Sequence, residues 1–472
     1  MKTTKRSGTM ALRGRSRAAR PRRRWLAAGV ENVLPVAAYL MLLGLVGGGV
    51  AEWSAGYALL MAATIAFSAL FVWRGGLETL ARLPWTARAA LIGIGVLPLL
   101  QLVPLPPAMW QALPGQTLRL ATLTQAGIAD TWQPLTLEPV GTALIAVLAV
   151  GFTALVGSLL QLTDAQFRTT MKLALGLVLL GIAIGLLQVV SNGQPHLQVD
   201  NMGGTMLGVF ANKNHMAMVL ACSILIFGLI VNRDMFGRDK RKAVTIGYVL
   251  FAFICIVTTN SRAGLGLGLL AAAIVMADLA RDVALRWRIA GVTGIAVLLV
   301  VLWSTSAFEL VFSRVGEVDD DLRWQIAIWS WPLAERYATT GSGFGSFETL
   351  FAANEQLAWV KPTFVNAAHN DYLQLLIEAG LVGVLVLALL LAAVAGSVSA
   401  YLKTPRRDPR RMEMGAGLAM VTLFALHSGF DYPLRRPATW IFFALALAAL
   451  FRGYISQRVP SSEQVGRPTD PA

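Results

Sequence analysis

The sequence predicts an all-α polytopic membrane protein with about twelve transmembrane helices. Three observations predict it. First, 56% of the 472 residues are hydrophobic and 14% are charged, with a mean hydropathy of +0.61; an ordinary soluble chain carries about 25% charge. Second, apolar runs close to the ~20 residues a span needs recur along the chain. Third, Lys and Arg concentrate in alternate loops between those runs, as the positive-inside rule expects.

Taken in order, the runs cover roughly 33–50, 56–73, 88–104, 139–160, 171–190, 211–231, 243–259, 264–280, 289–306, 380–401, 413–430 and 437–455. The run near Val33 has no A-x-A-like cleavage site at a signal-peptide distance and is followed by further runs, so it reads as a retained first span. The short link "AEWSAG" joins the first two as a hairpin. Cys222 and Cys255 fall inside apolar runs, which argues against a disulfide framework or a zinc site. No repeat with a period of 20–50 residues is visible.

Charge sets the expected orientation. With a cytoplasmic N-terminus, 31 of the 40 Lys and Arg residues lie inside, ten of them in the arm before Glu31. Both termini are therefore expected in the cytoplasm, and the chain divides into four parts. Residues 1–32 form a basic cytoplasmic arm, and 33–206 an N-terminal transmembrane half. Residues 207–455 form a second transmembrane region that includes a large periplasmic loop, 307–379, between helices 9 and 10. Residues 456–472 form a cytoplasmic tail. The net charge of +14 follows the membrane topology. It suggests contact with lipid headgroups rather than nucleic acid.

On this topology the rare polar residues gather on the outer side. His196, His215, His369 and His427 all fall there, with Lys213, Arg262, Arg323, Asp431, Arg435 and Arg436. Polar groups at membrane depth are costly and face a bundle interior or cavity. Each motif also has a plainer reading. In "FANKNHMA", Lys213 can be an interfacial anchor that snorkels to water. In "TTNSRAGLGLG", Arg262 can be a helix-end anchor, and Gly264, Gly266 and Gly268 allow close helix packing.

The stretch "DDDLRWQIAIWSWPLAERY" reads as a short helix capped by Asp320 or Asp321 and ended by Pro332. Trp324, Ile328 and Trp331 form its apolar face, laid on the outer leaflet. Arg323 stands in the first turn, where free N–H groups also favour anions; a surface ion pair with the neighbouring Asp residues is the plainer reading. "GSGFGSF" follows a helix and lacks a Lys-Ser/Thr, so a flexible loop is a better reading than a phosphate loop. In "HSGFDYPLRRP", His427 and Asp431 stand at i, i+4 on one helical face, with Pro433 ending the helix. In "NAAHNDYLQLLIE", His369, Tyr372 and Leu373 share a face, Asn370 or Asp371 caps the helix, and Glu378 is a further acid near the span. No metal-ligand spacing emerges among the histidines.

The segments "GVFANKNHMAMVL", "TTNSRAGLGLGLLAA", "DLRWQIAIWSWPLAE", "HNDYLQLLIEAGLVG" and "HSGFDYPLRRP" occur in this order. Together they resemble the O-antigen ligase and polymerase superfamily over roughly 207–450. The resemblance implies a GT-C-like membrane glycosyltransferase of the bacterial inner membrane. Such an enzyme moves a glycan from an undecaprenyl diphosphate carrier to an acceptor hydroxyl at the periplasmic face, with no metal or other cofactor. It implies that Arg262, Arg323 and Lys213 bind the donor's diphosphate, and that His369 and Asp431 are catalytic. His215, Asn370, His427 and Arg435 are expected to support them.

The chemistry of the residue types agrees with that assignment. Arginine presents a planar, permanently charged fork to phosphate oxygens. Histidine titrates near neutrality and can take a proton from an acceptor hydroxyl. Two acceptors stay open: lipid A-core, making a ligase, or another carrier-linked repeat unit, making a polymerase. A transporter or flippase is the reading from a different class. It would place polar groups near the midplane on broken helices, within inverted repeats.

Overall fold

A computed structural model describes residues 22–49, 54–191, 205–281, 286, 319–360 and 364–458. Helix accounts for 78% of it and strand for 1%. The long helices are α1 (Arg22–Val46), α2 (Ala55–Trp73), α3 (Trp85–Gln101), α4 (Pro139–Gln161), α5 (Asp164–Val190), α6 (Lys213–Ile226), α7 (Arg238–Thr258), α8 (Arg262–Leu279), α9 (Asp319–Tyr337), α10 (Phe347–Asn354), α11 (Asp371–Lys403), α12 (Pro409–His427) and α13 (Pro437–Arg458).

Eight helices among the described residues are long and apolar enough to cross a membrane. Val33–Val46 and α3 are apolar but shorter. Helix α12 occupies the run expected at 413–430, yet its first five residues include Arg410, Arg411 and Glu413, which lower its hydropathy. The run expected at 289–306 and the first part of the loop expected at 307–379 lie outside the described residues. His196 does too.

Helix α6 is the centre of the bundle. From Asn214, through a π-helical turn at Phe227–Val231, to Asn232 it is buried throughout. It packs against α5, α7, α8, α12 and α13. A helix apolar on every side has to be enclosed by others or by lipid. Cys222 and Cys255 are both buried and free. Two of the three glycines of the "GLGLG" stretch allow close approach: a Cβ on Gly264 would stand 2.2 Å from Ala217 Cβ, and one on Gly268 2.6 Å from Ile256 Cδ1. Gly266 meets open space, so it has no packing role here.

The two ends of the bundle differ in chemistry. At one end, ion pairs tie the helices together: Arg168 to Glu413 at 2.8 Å and to Asp234 at 3.1 Å, Arg452 to Asp164 at 2.7 Å, and Arg233 to Asp278 at 2.6 Å. The other end carries α9, α10 and the start of α11. There Ile326, Leu333, Tyr337, Phe347, Phe351 and Ile377 form a separate apolar cluster.

Four sequence expectations about helix limits are corrected. Pro332 does not end its helix; α9 continues to Tyr337 with the proline inside. Burial of Leu333, Ala334 and Tyr337 against α11 outweighs the lost backbone hydrogen bond. Because α9 begins at Asp319, Asp320 and Asp321 lie within the first turn instead of preceding it. Helix α12 ends at His427, well before Pro433, which opens a short 3-10 turn at Pro433–Arg435. His369 does not share a helical face with Tyr372 and Leu373, because α11 starts at Asp371 and His369 has a left-handed φ of 49°.

The "GSGFGSF" segment is also corrected. It is buried and laced into its surroundings, not a free loop. Ser342 N donates to Ile377 O at 2.9 Å, Gly343 N to Glu378 O at 3.0 Å, and Phe344 N to Gln101 Oε1 at 2.9 Å. Leu137 N donates to Ser342 O at 2.8 Å, which ties in the segment after the two-residue antiparallel pair Pro104–Leu105 and Gln133–Pro134. Gly380 breaks α11 with φ 58° and ψ −157°. The break separates the nine residues that carry polar groups from the apolar span beyond.

Candidate functional site

The site is built around one buried carboxylate, Asp431, in the turn between α12 and α13. Two segments distant in sequence, together with its own turn, converge on it. From the start of α6, Asn214 Nδ2 donates to Asp431 Oδ2 at 2.7 Å, and Asn212 Nδ2 stands 3.3 Å from the same oxygen. From the residue before α11's cap, His369 Nδ1 lies 3.4 Å from Asp431 Oδ1. From the end of α12, His427 Nε2 lies 3.8 Å from Oδ2. The backbone N–H of Tyr432 donates to Oδ1 at 3.0 Å.

Local sequence explains how these side chains are held. Asn212 is the N-cap of α6, its Oδ1 accepting from Asn214 N at 2.8 Å. The first turn of α6 thus presents its free N–H end toward an anion, a favourable placement for a carboxylate. Ser261 caps α8, accepting from Gly264 N at 2.9 Å, and donates through the same hydroxyl to Asn214 Oδ1 at 2.6 Å. That bond fixes the Asn214 amide: with its oxygen accepting from Ser261, its nitrogen faces Asp431.

Asn370 is the cap of α11, its Oδ1 accepting from Tyr372 N and Leu373 N, both at 3.0 Å. Its amide nitrogen donates to Gly429 O at 3.2 Å and so ties α11 to the turn that carries Asp431. On either side of His369 the chain is pinned, by Ala368 N to Gln374 Oε1 at 3.0 Å and by Asp371 N to Ser428 O at 2.8 Å. Left-handed backbone at a non-glycine residue is uncommon and persists where the surroundings dictate it.

Electrostatics favour an ionised Asp431. Burial alone would raise its pKa, but His369, His215, His427 and Arg323 outweigh burial and hold the carboxyl well below the usual carboxylate range. His215 and His427 are both buried, and none of their ring nitrogens has a hydrogen-bond partner among the described residues. The His215 ring packs edge-on to Tyr432 at 5.0 Å, and Tyr432 packs in the same way against His369 at 5.0 Å.

Of the expected site residues, His369, Asp431, His215, His427 and Asn370 come together here. Arg323 approaches from α9, its Nη1 donating to Phe430 O at 3.4 Å. Lys213 and Arg262 stand at the first positions of α6 and α8, directly beside Asn212 and Ser261. Arg435 belongs to a neighbouring cluster, pairing with Glu378 at 2.6 Å and Asp371 at 3.6 Å. Asp371 Oδ2 accepts from Ser428 Oγ at 2.9 Å and from Leu434 N at 3.1 Å, so this second cluster braces the same turn. Sequence reasoning assigned no role to Asn212, Asn214 or Ser261. The consecutive polar residues of "NKNH" and the serine before Arg262 were the available signals. Among the described residues no three His, Cys, Asp or Glu side chains are grouped to hold a metal ion.

A bundle with eight helices, among the described residues, long and apolar enough to span a bilayer defines a multi-pass membrane protein, and its histidine-bearing cluster stands at one end. Residues 247–388 match the family model described as O-antigen ligase. The matched segment holds Arg262, Arg323, His369 and Asn370; Lys213, His215, His427 and Asp431 lie outside it. No curated protein matches the chain. The family is one of ligase- or polymerase-type membrane enzymes acting on glycans and lipid-linked substrates.

Proposed function

We propose that the protein is a glycosyltransferase of the bacterial inner membrane that moves a glycan from an undecaprenyl diphosphate carrier to an acceptor hydroxyl at the periplasmic face. The convergence of His369, His427, Asn214 and Arg323 on Asp431 at one end of the bundle is the observation that carries this reading. In this reading the cluster end is periplasmic, both termini are cytoplasmic, and about twelve helices cross the membrane in a GT-C-like arrangement, with the large loop between helices 9 and 10.

The proposed reaction needs a base, a charge clamp and no redox step. Asp431 faces His369 Nδ1, which leaves Nε2 to accept the acceptor hydroxyl's proton. The freed oxygen attacks the anomeric carbon of the donor. The bond from that carbon to the diphosphate oxygen breaks, and the carrier diphosphate leaves with the electron pair. Arg262, Arg323 and Lys213 stabilise the charge on the leaving group. Asp431 orients His369 and stabilises its imidazolium. His215, Asn370, His427 and Arg435 shape and brace the site.

We assign lipid A-core as the acceptor, which makes the enzyme a ligase. The polymerase reading shares the donor chemistry and differs only in the acceptor. The glycan profile of a deletion strain separates them. Free polymer accumulating on the carrier indicates the lost ligase; single repeats capping the lipid indicate a lost polymerase; unchanged glycans overturn both.

A further inference from the structure

We propose that Gln188, in the last turn of α5, is a positioning residue that sets the start of α6 against Asp431, an inference that rests on the transferase reading above. Gln188 is buried and lies outside the segment matched by the family model. Its Oε1 accepts from Leu207 N at 3.0 Å and from Gly208 N at 2.8 Å, and its Nε2 donates to Gly208 O at 2.9 Å. Gly208 has a left-handed φ of 61°, and both its N–H and its C=O reach the one amide. A glutamine side chain offers acceptor and donor together, so it answers both.

Helix α5 is shaped to receive this turn. Gly181, Gly185 and Gln188 stand at i, i+4 and i+7 on one face. A Cβ on Gly185 would stand 2.5 Å from Met206 Cγ, and one on Gly208 2.8 Å from Gly181 O. The turn is thus held by close approach and by the amide. Asn212 follows Gly208 by four positions. The stretch between is tied by Phe210 N to Leu207 O at 3.1 Å and by Ala211 N to Gly48 O at 3.2 Å. Asn212 then caps α6, and both Asn212 and Asn214 donate to Asp431. A shift of the turn at Gly208 therefore moves both donors relative to the carboxylate, and Lys213 with them.

If the amide only satisfied a buried turn, its loss would cost stability and nothing more. Gln188→Met keeps the length and removes these three bonds. Asn232→Leu removes two buried bonds, to Gly228 O and Thr245 Oγ1, at the far end of the same continuous helix, as a control. Thermal unfolding of each purified full-length variant establishes folding. Gln188→Asn, which keeps the amide but ends one methylene short, takes the place of Gln188→Met should that variant not fold. Transfer is measured in vesicles from a polyprenyl diphosphate-linked oligosaccharide to lipid A-core. Gln188→Met should lower kcat/KM roughly ten- to a hundredfold, the scale of loss that a misplacement of about 1 Å brings. Asn232→Leu should transfer at close to the wild-type rate. In a double-mutant cycle with Asn214→Ala, Gln188→Met should add little further loss, because both act on the same donor. No loss, an equal loss in the control, or full additivity with Asn214→Ala overturns the proposal.

A structural readout stands apart from transfer. Amide hydrogen exchange in the peptide spanning 209–216 should be faster in Gln188→Met than in wild type, and unchanged in Asn232→Leu. Unchanged exchange in Gln188→Met overturns the positioning role. Faster exchange there, with no transfer by wild type itself, would retain the positioning role and overturn the transferase reading.

Discussion

Asn214 Nδ2 lies 2.7 Å from Asp431 Oδ2, joining residues 217 positions apart through a buried, charge-assisted hydrogen bond. Ser261 fixes the direction of that bond by donating to the other atom of the same amide at 2.6 Å. Hydrogen bonds to buried charges contribute about 1.5–3 kcal/mol each. Asn214→Ala should therefore lower glycan transfer by roughly ten- to a hundredfold. Ser261→Ala should cost less, and the double variant should fall short of the sum of the two, since both act through one amide. A double-mutant cycle on kcat/KM in vesicles checks this; strict additivity would refute the relay.

Asp431 supplies a pH prediction. Its carboxyl is held below the usual range, so its folded pKa is lower than its unfolded value of about 3.9. Such a group stabilises the fold fully above the unfolded pKa and loses that contribution only as pH falls through the folded one. Between about pH 5 and 8 its contribution is therefore constant. Asp431→Asn should lower Tm by the same amount across that window and abolish transfer. A difference in Tm between wild type and variant that grows steadily from pH 5 to 8 would contradict an ionised Asp431.

Gly380 adopts φ 58° and ψ −157°, and a Cβ there would stand 2.6 Å from Gly341 N and 2.9 Å from Ala338 O. Gly380→Ala should destabilise the protein by about 1–3 kcal/mol from backbone strain alone, before any steric term. It should also loosen the segment that carries His369. Denaturant unfolding measures the first effect. An unchanged midpoint would show that the break in α11 is not required.

Glu378 is fully enclosed and pairs with Arg435, whose side chain is mostly covered. Removing one partner of a buried pair leaves an uncompensated charge and costs about 3–5 kcal/mol. Arg435→Met should therefore be more damaging than Arg435→Met combined with Glu378→Gln. If the double variant unfolds at a lower temperature than the single, the pair is not the term that matters.

Much of the architecture was legible in the sequence. The apolar runs found all eight helices that, among the described residues, meet the length and hydropathy of a span, because burial in lipid or in a bundle demands a long uninterrupted apolar stretch whatever the neighbours are. The ends of helices were less legible. Pro332 and Pro433 both mark strong local preferences. At Pro332, burial of Leu333 and Tyr337 against α11 overrode the local signal. The helix expected to reach Pro433 had already ended at His427.

The same division runs through the site. The sequence by itself determined which residues were rare and polar, that Lys213, His215, Arg262, His427 and Asp431 fall at or beside the ends of apolar runs, and that Arg323, His369 and Asn370 fall in the long segment between two runs. Only the tertiary structure decided that His369 leaves its helix to face Asp431, that Arg435 turns to Glu378 instead, and that Asn214 and Ser261 complete the carboxylate's surroundings. The reason is physical. Hydropathy is additive along the chain and so can be read from it. A buried carboxylate is satisfied by donors from whichever helices pack around it, and sequence distance carries no record of that packing.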